Sequence, residues 1–375
     1  MAEASRILIT GGSIAGLSLA IALRRRGYTP ELAEQCPRWP AAGAGIALHA
    51  NAVRALRALG LGDAVSRAAT PLPRYGFYDQ HGAQLCTTDL NDLWGQAGPC
   101  LGIARVRLQE ILATAADGMP HRLGVAVTGL TQQRGEVSVT FADGSAGEYD
   151  LVVGADGIHS TVRGLAVSQK APSYAGAVSW RSIIPARPRG VDHLMVFTGE
   201  RRYFGLVPVG GGHTYGFAGL DGEPFHDPPG GRLDRLRQHF HGFGPPVTGY
   251  LAALTRDEQI HFGPIESIDL EHWHAGRVLL IGDAAHASPP HMGEGGAMAI
   301  EDAIVLAELL RAADTIEDAI ARFQARRKPR AGYVQQQSTL AARAWAAPAS
   351  DRDAALRQRG DQILRERYRP LIATP

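Results

Sequence analysis

Short apolar runs alternate along this chain with segments in which apolar residues recur at helical spacing. Residues 6–10 form an apolar run, a glycine-rich turn follows, and helical spacing continues to Leu23 before Gly27. A second apolar run lies at residues 31–34, so the N-terminus is predicted to be a βαβ unit. The same patterns predict a loop at residues 43–46 and helices at residues 51–59 and 106–116.

The middle of the chain alternates apolar and polar residues, which is typical of antiparallel strands. A hairpin is predicted at residues 74–90 with its turn at Gln80-His81-Gly82, and Asp143-Gly144 marks a second turn. Further strands are expected at residues 125–140, 149–153, 180–185, 202–209 and 213–218. Helical spacing returns at residues 233–240, 297–311 and 316–346, before an arginine-rich tail.

These patterns predict an α/β fold, α+β overall, with a Rossmann-like domain, an inserted, mainly antiparallel β-sheet and C-terminal helices. The Rossmann-like domain is expected to be discontinuous, comprising residues 1–72, 98–170 and 271–345. The β-rich domain would comprise residues 73–97 and 171–270, because their composition differs from that of the flanking segments. Residues 346–375 would form a helical tail.

Composition narrows the class of protein. The 375 residues carry a net charge of +1, so nothing points to nucleic acid or an anionic membrane as a partner. No apolar run approaches the roughly 20 residues of a membrane-spanning helix. Cys36, Cys86 and Cys100 show no metal-binding or disulfide spacing. A cytoplasmic monomer or homodimer without a metal is therefore expected.

The most informative segment is residues 276–303. An apolar strand is expected to end at Gly282-Asp283, a loop rich in proline and glycine follows, and a long helix begins after it. The Asp283 carboxylate could accept hydrogen bonds from sugar hydroxyls. Free N–H groups at the helix start favour negative charge beside them. This combination suits a flexible polar cofactor.

Two other motifs also follow predicted strands. Gly11-Gly12-Ser13-Ile14-Ala15-Gly16 stands where a dinucleotide fingerprint belongs, with Ser13 at its second glycine position and Glu34 where an acid would bind a ribose. Gly154-Ala155-Asp156-Gly157 follows another apolar run. Asp156 could serve a ligand there or simply cap the next helix.

Together the three motifs resemble those of the single-component FAD-dependent aromatic hydroxylases of the p-hydroxybenzoate hydroxylase fold. The resemblance covers about residues 6–165 and 276–330 and is weak in the inserted region. It implies that the discontinuous domain binds FAD and that the β-rich domain covers the substrate. It also implies a monooxygenase: NADH or NADPH reduces FAD, O2 adds at flavin C4a, and the hydroperoxide hydroxylates or epoxidises an aromatic or polycyclic small molecule. With one dinucleotide fingerprint, the nicotinamide nucleotide is expected to dock transiently.

The resemblance further implies which residues contact FAD. Gly11, Ser13 and Gly16 would face the pyrophosphate, and Glu34 the adenosine ribose. Asp283 would face the pyrophosphate and ribityl region, and Asp156 would also support the approach of the nicotinamide nucleotide. The complete predicted set is Gly11, Ser13, Ile14, Ala15, Gly16, Glu34, Gln35, Gly45, Ile46, Arg105, Asp156, Gly157, Gly282, Asp283, Pro290, Gly293, Gly295, Gly296 and Ala297.

Catalytic residues are expected in the loop after Asp283. Pro289 and Pro290 would lie near the reactive edge of the flavin, and N–H groups around Gly293 would face its pyrimidine end. A base near the ring would help a phenolic substrate react. The candidates are His49, His213, Tyr203, Tyr215 and His291, although a lone histidine is more often structural. His286 is expected to support the loop.

Other functions remain open at this stage. A flavin-dependent halogenase would share the FAD domain, but Ser182 stands where its tryptophan signature requires a second Trp after Trp180. A reductase of isoprenoid double bonds and a nucleotide-binding regulator without turnover are further alternatives. The inserted region holds many aromatic residues but no convincing charge pairs, so a largely apolar ring substrate is expected.

Overall fold

The computed structural model describes residues 6–39, 44–133 and 135–375. The loop expected at residues 43–46 lies partly outside the described residues, because Gly43 is not among them. Gly45 and Ile46 are not in a loop: they begin strand β3 (Gly45–Leu48), which pairs antiparallel with β7 (Leu101–Ala104). The cross-strand pairing of the apolar Ile46 with Ile103 explains the difference.

A six-stranded sheet forms the cofactor-side core. Its strands, in spatial order, are β18 (His274–Ala275), β19 (Val278–Leu280), β12 (Leu151–Gly154), β1 (Ile7–Thr10), β2 (Glu31–Glu34) and β8 (His121–Leu123). All neighbours are parallel except β18 and β19. Because β1, β12 and β19 are parallel, the loops that follow them meet at one edge of the sheet. The N-terminal βαβ prediction is confirmed.

Helices cover this sheet. Helix α1 (Ile14–Arg24) follows β1 and packs against α9 (Gly295–Ala312), which starts two residues before the predicted position. The remaining helices of this part are α2 (Ala50–Ala58), α3 (Gly62–Ala68), α5 (Arg105–Ala115), α8 (Asp283–His286) and α10 (Ile316–Ala346), whereas α4 (Leu90–Trp94) contacts strands of a second, larger sheet. The loop predicted after Asp283 therefore begins with a short helix, α8.

A larger sheet of seven strands lies over the cofactor side. Its order is β17 (Ile260–Ser267), β13 (Ser173–Ile184), β16 (His213–Asp221), β15 (Arg202–Val209), β14 (Leu194–Gly199), β5 (Arg74–Asp79) and β6 (Gln84–Asp89). Only β14 and β5 pair in parallel, and β5–β6 is the predicted hairpin. All seven strands fall within the segments assigned to the β-rich domain, whose boundaries stay a prediction.

The two faces of the large sheet differ. One face carries a separate hydrophobic cluster with Trp180 and Phe204, covered by α6 (Arg232–His239) and α7 (Val247–Ala253). The other face looks towards the six-stranded sheet. Two small sheets complete the fold: β9 (Val127–Gln133), β10 (Glu136–Phe141) and β11 (Ala146–Tyr149), and β3 with β7 and β4 (Thr70–Pro71).

The C-terminal tail is a docked helix, α11 (Ala349–Tyr368). It packs so closely on β6 that a Cβ added at Gly360 would lie 2.3 Å from the Cys86 sulfur. The buried Arg352 donates to the Gly199 carbonyl at 2.7 Å, and Arg54 donates to the Ile372 carbonyl at 2.6 Å. No helix within the described ranges is long and apolar enough to cross a membrane.

A buried ionic network joins α10 to the strand-end loops. Arg327, which is 0% exposed, donates to Glu301 at 2.9 Å and to Asp302 at 2.8 Å. The other oxygen of Asp302 accepts from the Gly282 amide at 2.9 Å and lies 2.7 Å from His286 Nε2. Burial alone would raise the pKa of Asp302, but the charges of His286 and Arg327 hold it below its usual value. His286 therefore supports the loop, as expected.

Replacing Arg327 with methionine should reduce the free energy of unfolding by about 3–5 kcal/mol, because two buried carboxylates lose their shared partner. Urea denaturation would measure the change. The matched control is Arg322→Met, which removes the exposed ion pair with Asp318 and should change stability by about 0.5 kcal/mol or less. A loss at Arg327 no larger than at Arg322 would contradict the role given to the network.

Candidate active site

A cavity of about 890 Å³ lies between the carboxyl edge of the parallel sheet and the open face of the large sheet. It brings together residues from all three strand-end motifs and from the inserted sheet. The predicted site residues that line it are Gly11, Ser13, Ile14, Ala15, Glu34, Gln35, Gly45, Ile46, His49, Arg105, Asp156, Gly157, Tyr203, Tyr215, Asp283, Pro290, His291, Gly293, Gly295 and Gly296.

Five predicted residues lie outside this lining: Gly16, His213, Gly282, Pro289 and Ala297. A Cβ added at Gly16 would lie 1.8 Å from the Gly11 carbonyl oxygen, so Gly16 allows α1 to approach the turn. Gly282 has φ +59° and packs near Ala15. Pro289 and Ala297 are buried behind the wall, and His213 lies near the Gly211 carbonyl.

The dinucleotide turn is held by two side chains. Glu34, 5% exposed, accepts from the Gly12 amide at 2.7 Å and from the Cys36 amide at 2.8 Å. Gln109 donates to the Gly12 carbonyl at 2.6 Å. Each Glu34 oxygen keeps a second lone pair for a ribose hydroxyl. Gln109 was not predicted as a site residue. Its position four residues after Arg105, which places both side chains on one face of α5, was the available signal.

Asp156 closes the turn after β12. Its carboxylate accepts from the Val162 amide at 3.0 Å and from the Ser160 hydroxyl. Burial raises the pKa of Asp156, and these hydrogen bonds oppose the rise. The side chain therefore performs the capping function that was the alternative interpretation of this motif, and its contribution to cofactor or nucleotide binding stays a prediction.

Asp283 and Arg105 are opposite charges that both face the cavity. Asp283 is exposed at the start of α8, and its carboxylate has no partner within the described part of the chain. The guanidinium of Arg105 likewise has no hydrogen bond or ion pair with any described residue, while its backbone N–H donates to the Ala44 carbonyl. The cavity thus offers an acceptor for hydroxyls and a cation for a phosphate.

The glycine loop before α9, around Gly293, has a backbone conformation that allows a ligand to approach closely. Gly293 adopts φ +67°, and a Cβ added there would lie 3.3 Å from the His49 ring. Behind the loop, the buried Glu294 bonds His49 Nδ1 and Asn51 Nδ2, each at 2.8 Å. Gly295 and Gly296, at the start of the 18-residue helix α9, are half-buried and line the cavity, and their amides carry partial positive charge.

The opposite end of the cavity is aromatic. The rings of Tyr203 and His291 each lie 4.8 Å from that of Trp345, and the Tyr368 hydroxyl donates to the Met292 carbonyl at 2.8 Å. Tyr75 also lines this end. Trp345, Tyr368 and Tyr75 were not predicted, because they come from separate segments whose apolar pattern does not reveal which surface they cover.

The predicted bases have different environments. Burial raises the pKa values of Tyr203 and Tyr215, so both stay protonated near neutral pH, and it lowers the pKa of His291 to about 3, so its neutral ring has a low affinity for protons. None of the three environments favours a general base near neutral pH. Both ring nitrogens of His291 are buried without a hydrogen-bond partner among the residues that the structure describes. The Nε2 atom of His49 also has no hydrogen-bond partner in the described ranges. No group of three or more metal-ligand side chains was found among the described residues.

The three strand-end loops that open on one cavity, and the antiparallel sheet that covers it, agree with the resemblance to the flavin-dependent aromatic hydroxylases. The family model described as FAD binding domain matches residues 4–338. The chain belongs to the FAD-dependent aromatic hydroxylase family. It is an FAD-dependent monooxygenase, a class for which NAD(P)H is the reductant and O2 the co-substrate.

Several relatives cover nearly the whole chain. Aurachin C monooxygenase/isomerase of Stigmatella aurantiaca is 35% identical over 329 residues, 87% of this chain and 85% of that protein. The 3-amino-4-hydroxybenzoate 2-monooxygenase of Streptomyces cremeus is 32% identical, covering 95% and 92%. The crystal structure of Klebsiella pneumoniae HpxO complexed with FAD and uric acid superposes with a TM-score of 0.92 at 26% identity, covering 99% and 97%.

Replacing Gly16 with alanine should weaken FAD binding about tenfold or more, because the new Cβ cannot fit against the Gly11 carbonyl without moving the turn; tenfold corresponds to about 1.4 kcal/mol. Flavin fluorescence titration of apoprotein would measure it. The control is Gly332→Ala in α10, where the added Cβ meets nothing within 4 Å. Equal FAD affinities in both variants would refute the close-approach role.

His291 should make stability depend on pH. Its pKa is about 3 in the folded protein and 6.5 ordinarily, so the unfolded chain binds an extra proton between those values. Stability should therefore fall as pH decreases below about 6.5, by up to about 1.4 kcal/mol per pH unit from this group.

His291→Gln should flatten that slope, whatever its effect on absolute stability. Urea denaturation between about pH 6.5 and pH 4.5 would compare the variant with wild type and with His213→Gln, which leaves the cavity intact. An unchanged slope in His291→Gln would show that His291 is not held neutral by the fold.

Proposed function

We propose that the protein inserts one oxygen atom of O2 into the ring of an aromatic small molecule, by hydroxylation or epoxidation, with NADH or NADPH as the reductant. The observation that carries this proposal is the continuity of the cavity. The polar half contains the side chains of Asp283 and Arg105, which have no partner among the described residues, and it is continuous with an aromatic half around Tyr203 and Trp345. The named activities of the relatives on aromatic compounds support the same class of reaction.

The residues present fit FAD. The turn at Gly11 and Glu34 would hold the adenosine end, Arg105 the pyrophosphate, and Asp283 the ribityl hydroxyls. The amides from Gly293 to Gly296 would face the pyrimidine end. When bound, FAD supplies the redox chemistry that links oxidation of NAD(P)H to activation of O2.

The protein itself stabilises negative charge at the flavin and excludes water from the substrate. Amides at the start of α9 stabilise the negative charge that reduction places beside them, without reorganising during the reaction. The buried aromatic rings of Tyr203 and Trp345 exclude water from the substrate end. Exclusion of water favours transfer of the activated oxygen to the ring over its release as hydrogen peroxide.

The nicotinamide nucleotide would dock transiently at the cavity mouth, because the chain has one dinucleotide fingerprint. We predict that the nucleotide approaches the flavin along the loop that contains Asp156. The cytoplasmic location, the monomeric or homodimeric state and the domain boundaries also stay predictions.

The purified protein should show an oxidised-flavin spectrum and should oxidise NADH or NADPH faster with a suitable aromatic compound. With isotopically labelled O2, the product should carry one labelled oxygen atom per turnover. A colourless protein that does not take up FAD would refute the proposal. A product that forms only with chloride would indicate a halogenase. Turnover without oxygen would indicate a reductase of double bonds. Bound FAD without oxygen consumption would indicate a regulator.

A further inference from the structure

His49 and Glu294 form a buried pair at the wall of the cavity. His49 Nδ1 lies 2.8 Å from a Glu294 oxygen, and the two side chains are 2% and 0% exposed. The imidazole packs against the rings of Trp94 and Tyr368, with 5.8 Å and 4.8 Å between ring centres. These contacts fix its orientation, and its Nε2 has no hydrogen-bond partner among the described residues.

The negative charge of Glu294 has no arginine or lysine to balance it within the described part of the chain. Its ion-pair partner there is His49, and its second oxygen accepts from the neutral Asn51 amide at 2.8 Å. The buried carboxylates of Glu301 and Asp302 are instead paired with arginine. Because a buried charge requires a counter-charge, His49 is the group that can supply one for Glu294.

The other ionisable groups around the pair remain neutral. Burial raises the pKa values of the Cys100 thiol and the Tyr368 hydroxyl, both of which lie close enough to be affected by the charge of Glu294. The charge of Arg367 acts on Tyr368, but Arg367 forms no ion pair with a described carboxylate. Proton binding in this region is therefore shared by His49 and Glu294 as one unit.

The pair adjoins the end of the cavity where the pyrimidine of FAD is proposed to lie. His49 lines the cavity, and a Cβ added at Gly293 would lie 3.3 Å from its ring. Glu294 immediately precedes the first residue of α9. With a neutral imidazole the pair carries one net negative charge, which the negative charge of the reduced flavin would repel. With one more proton the pair is neutral as a whole, so reduction favours the protonated pair.

We propose that the His49–Glu294 pair binds one proton from solvent when the flavin is reduced and gives it up when the flavin is reoxidised. Because Nδ1 faces the Glu294 carboxylate and donates to it, the lone pair that receives the proton is on Nε2. Glu294 is the positioning residue that holds the ring in this tautomer. The inference rests on the proposed function, which assigns the pyrimidine end to the residues beside Gly293.

This proton balances the reaction. In the first stage NAD(P)H transfers a hydride to the flavin and leaves as NAD(P)+, the flavin becomes an anion, and Nε2 binds a proton from solvent. In the second stage one oxygen atom of O2 enters the substrate and the other leaves as water. The two hydrogens of that water balance the hydride and the proton from His49, which returns both the flavin and the imidazole to their starting forms.

The test counts the protons bound per two electrons, from the dependence of the flavin midpoint potential on pH in the holoenzyme between about pH 6 and about pH 9. Formation of the reduced flavin anion by itself binds one proton, so wild type should bind two over at least about one pH unit of this interval. His49→Asn should bind one throughout, because asparagine keeps an N–H donor for Glu294 but binds no proton. His49→Gln is the second variant, should the first fail to fold. The matched control is His213→Gln, which alters a histidine outside the cavity, near the Gly211 carbonyl, and should still bind two.

One proton in wild type across the whole interval would overturn the inference, and so would two protons in the His49 variants. The spectrum of the reduced flavin is recorded in each sample, because a second proton on the flavin itself would produce its neutral reduced form. A neutral reduced flavin in wild type would therefore also overturn the inference. Reduction by NAD(P)H is measured on the same samples. Its absence would count against the proposed function, whereas normal reduction with one proton bound counts against this inference alone.

Discussion

The pairing of Arg327 with Glu301 and Asp302 is the interaction on which the cofactor end of the cavity depends. All three side chains are buried, so the pair gains little net stability, and its effect is to hold elements in one arrangement. Asp302 fixes the Gly282 amide and His286, which begin and end the turn containing Asp283. Through Arg327, helix α10 thereby positions the turn that carries the Asp283 carboxylate, which lies more than twenty residues before the helix in the chain.

The same network reaches the glycine loop from its other side. Asn51 lies 3.4 Å from Glu301 and 2.8 Å from Glu294, and Glu294 in turn bonds His49. The segment from His286 to Glu294 is therefore held at both ends by contacts of buried carboxylates. Its glycines can leave amides free for a ligand, because side chains elsewhere hold its shape. A loop stabilised only by its own residues would lose that freedom to internal hydrogen bonds.

The parts of the fold that follow from local geometry could be predicted from the sequence. The βαβ unit, the bounds of β15 and the bounds of α10 depend on apolar spacing, and the three strand-end motifs converge because their strands are parallel. Trp345 and Tyr368 could not be predicted in the same way. Each reaches the cavity through packing between distant segments, and no periodicity records which helix face covers a ligand.

The two halves of the cavity depend on the sequence in different ways. In the cofactor half, the contacts come from backbone amides and glycines, so a contiguous motif describes them and substitutions are limited by space around Gly11 and Gly293. In the substrate half, alternate residues of strand β13 have different surroundings: Trp180 is part of the second hydrophobic core, while its neighbour Arg181 faces the cavity. Because side chains on the two faces of a strand are independent, the residue at position 181 can change without disturbing the core. Selectivity for the substrate can therefore evolve on the inserted sheet while the cofactor half, tied to α10 by buried charges, stays unchanged.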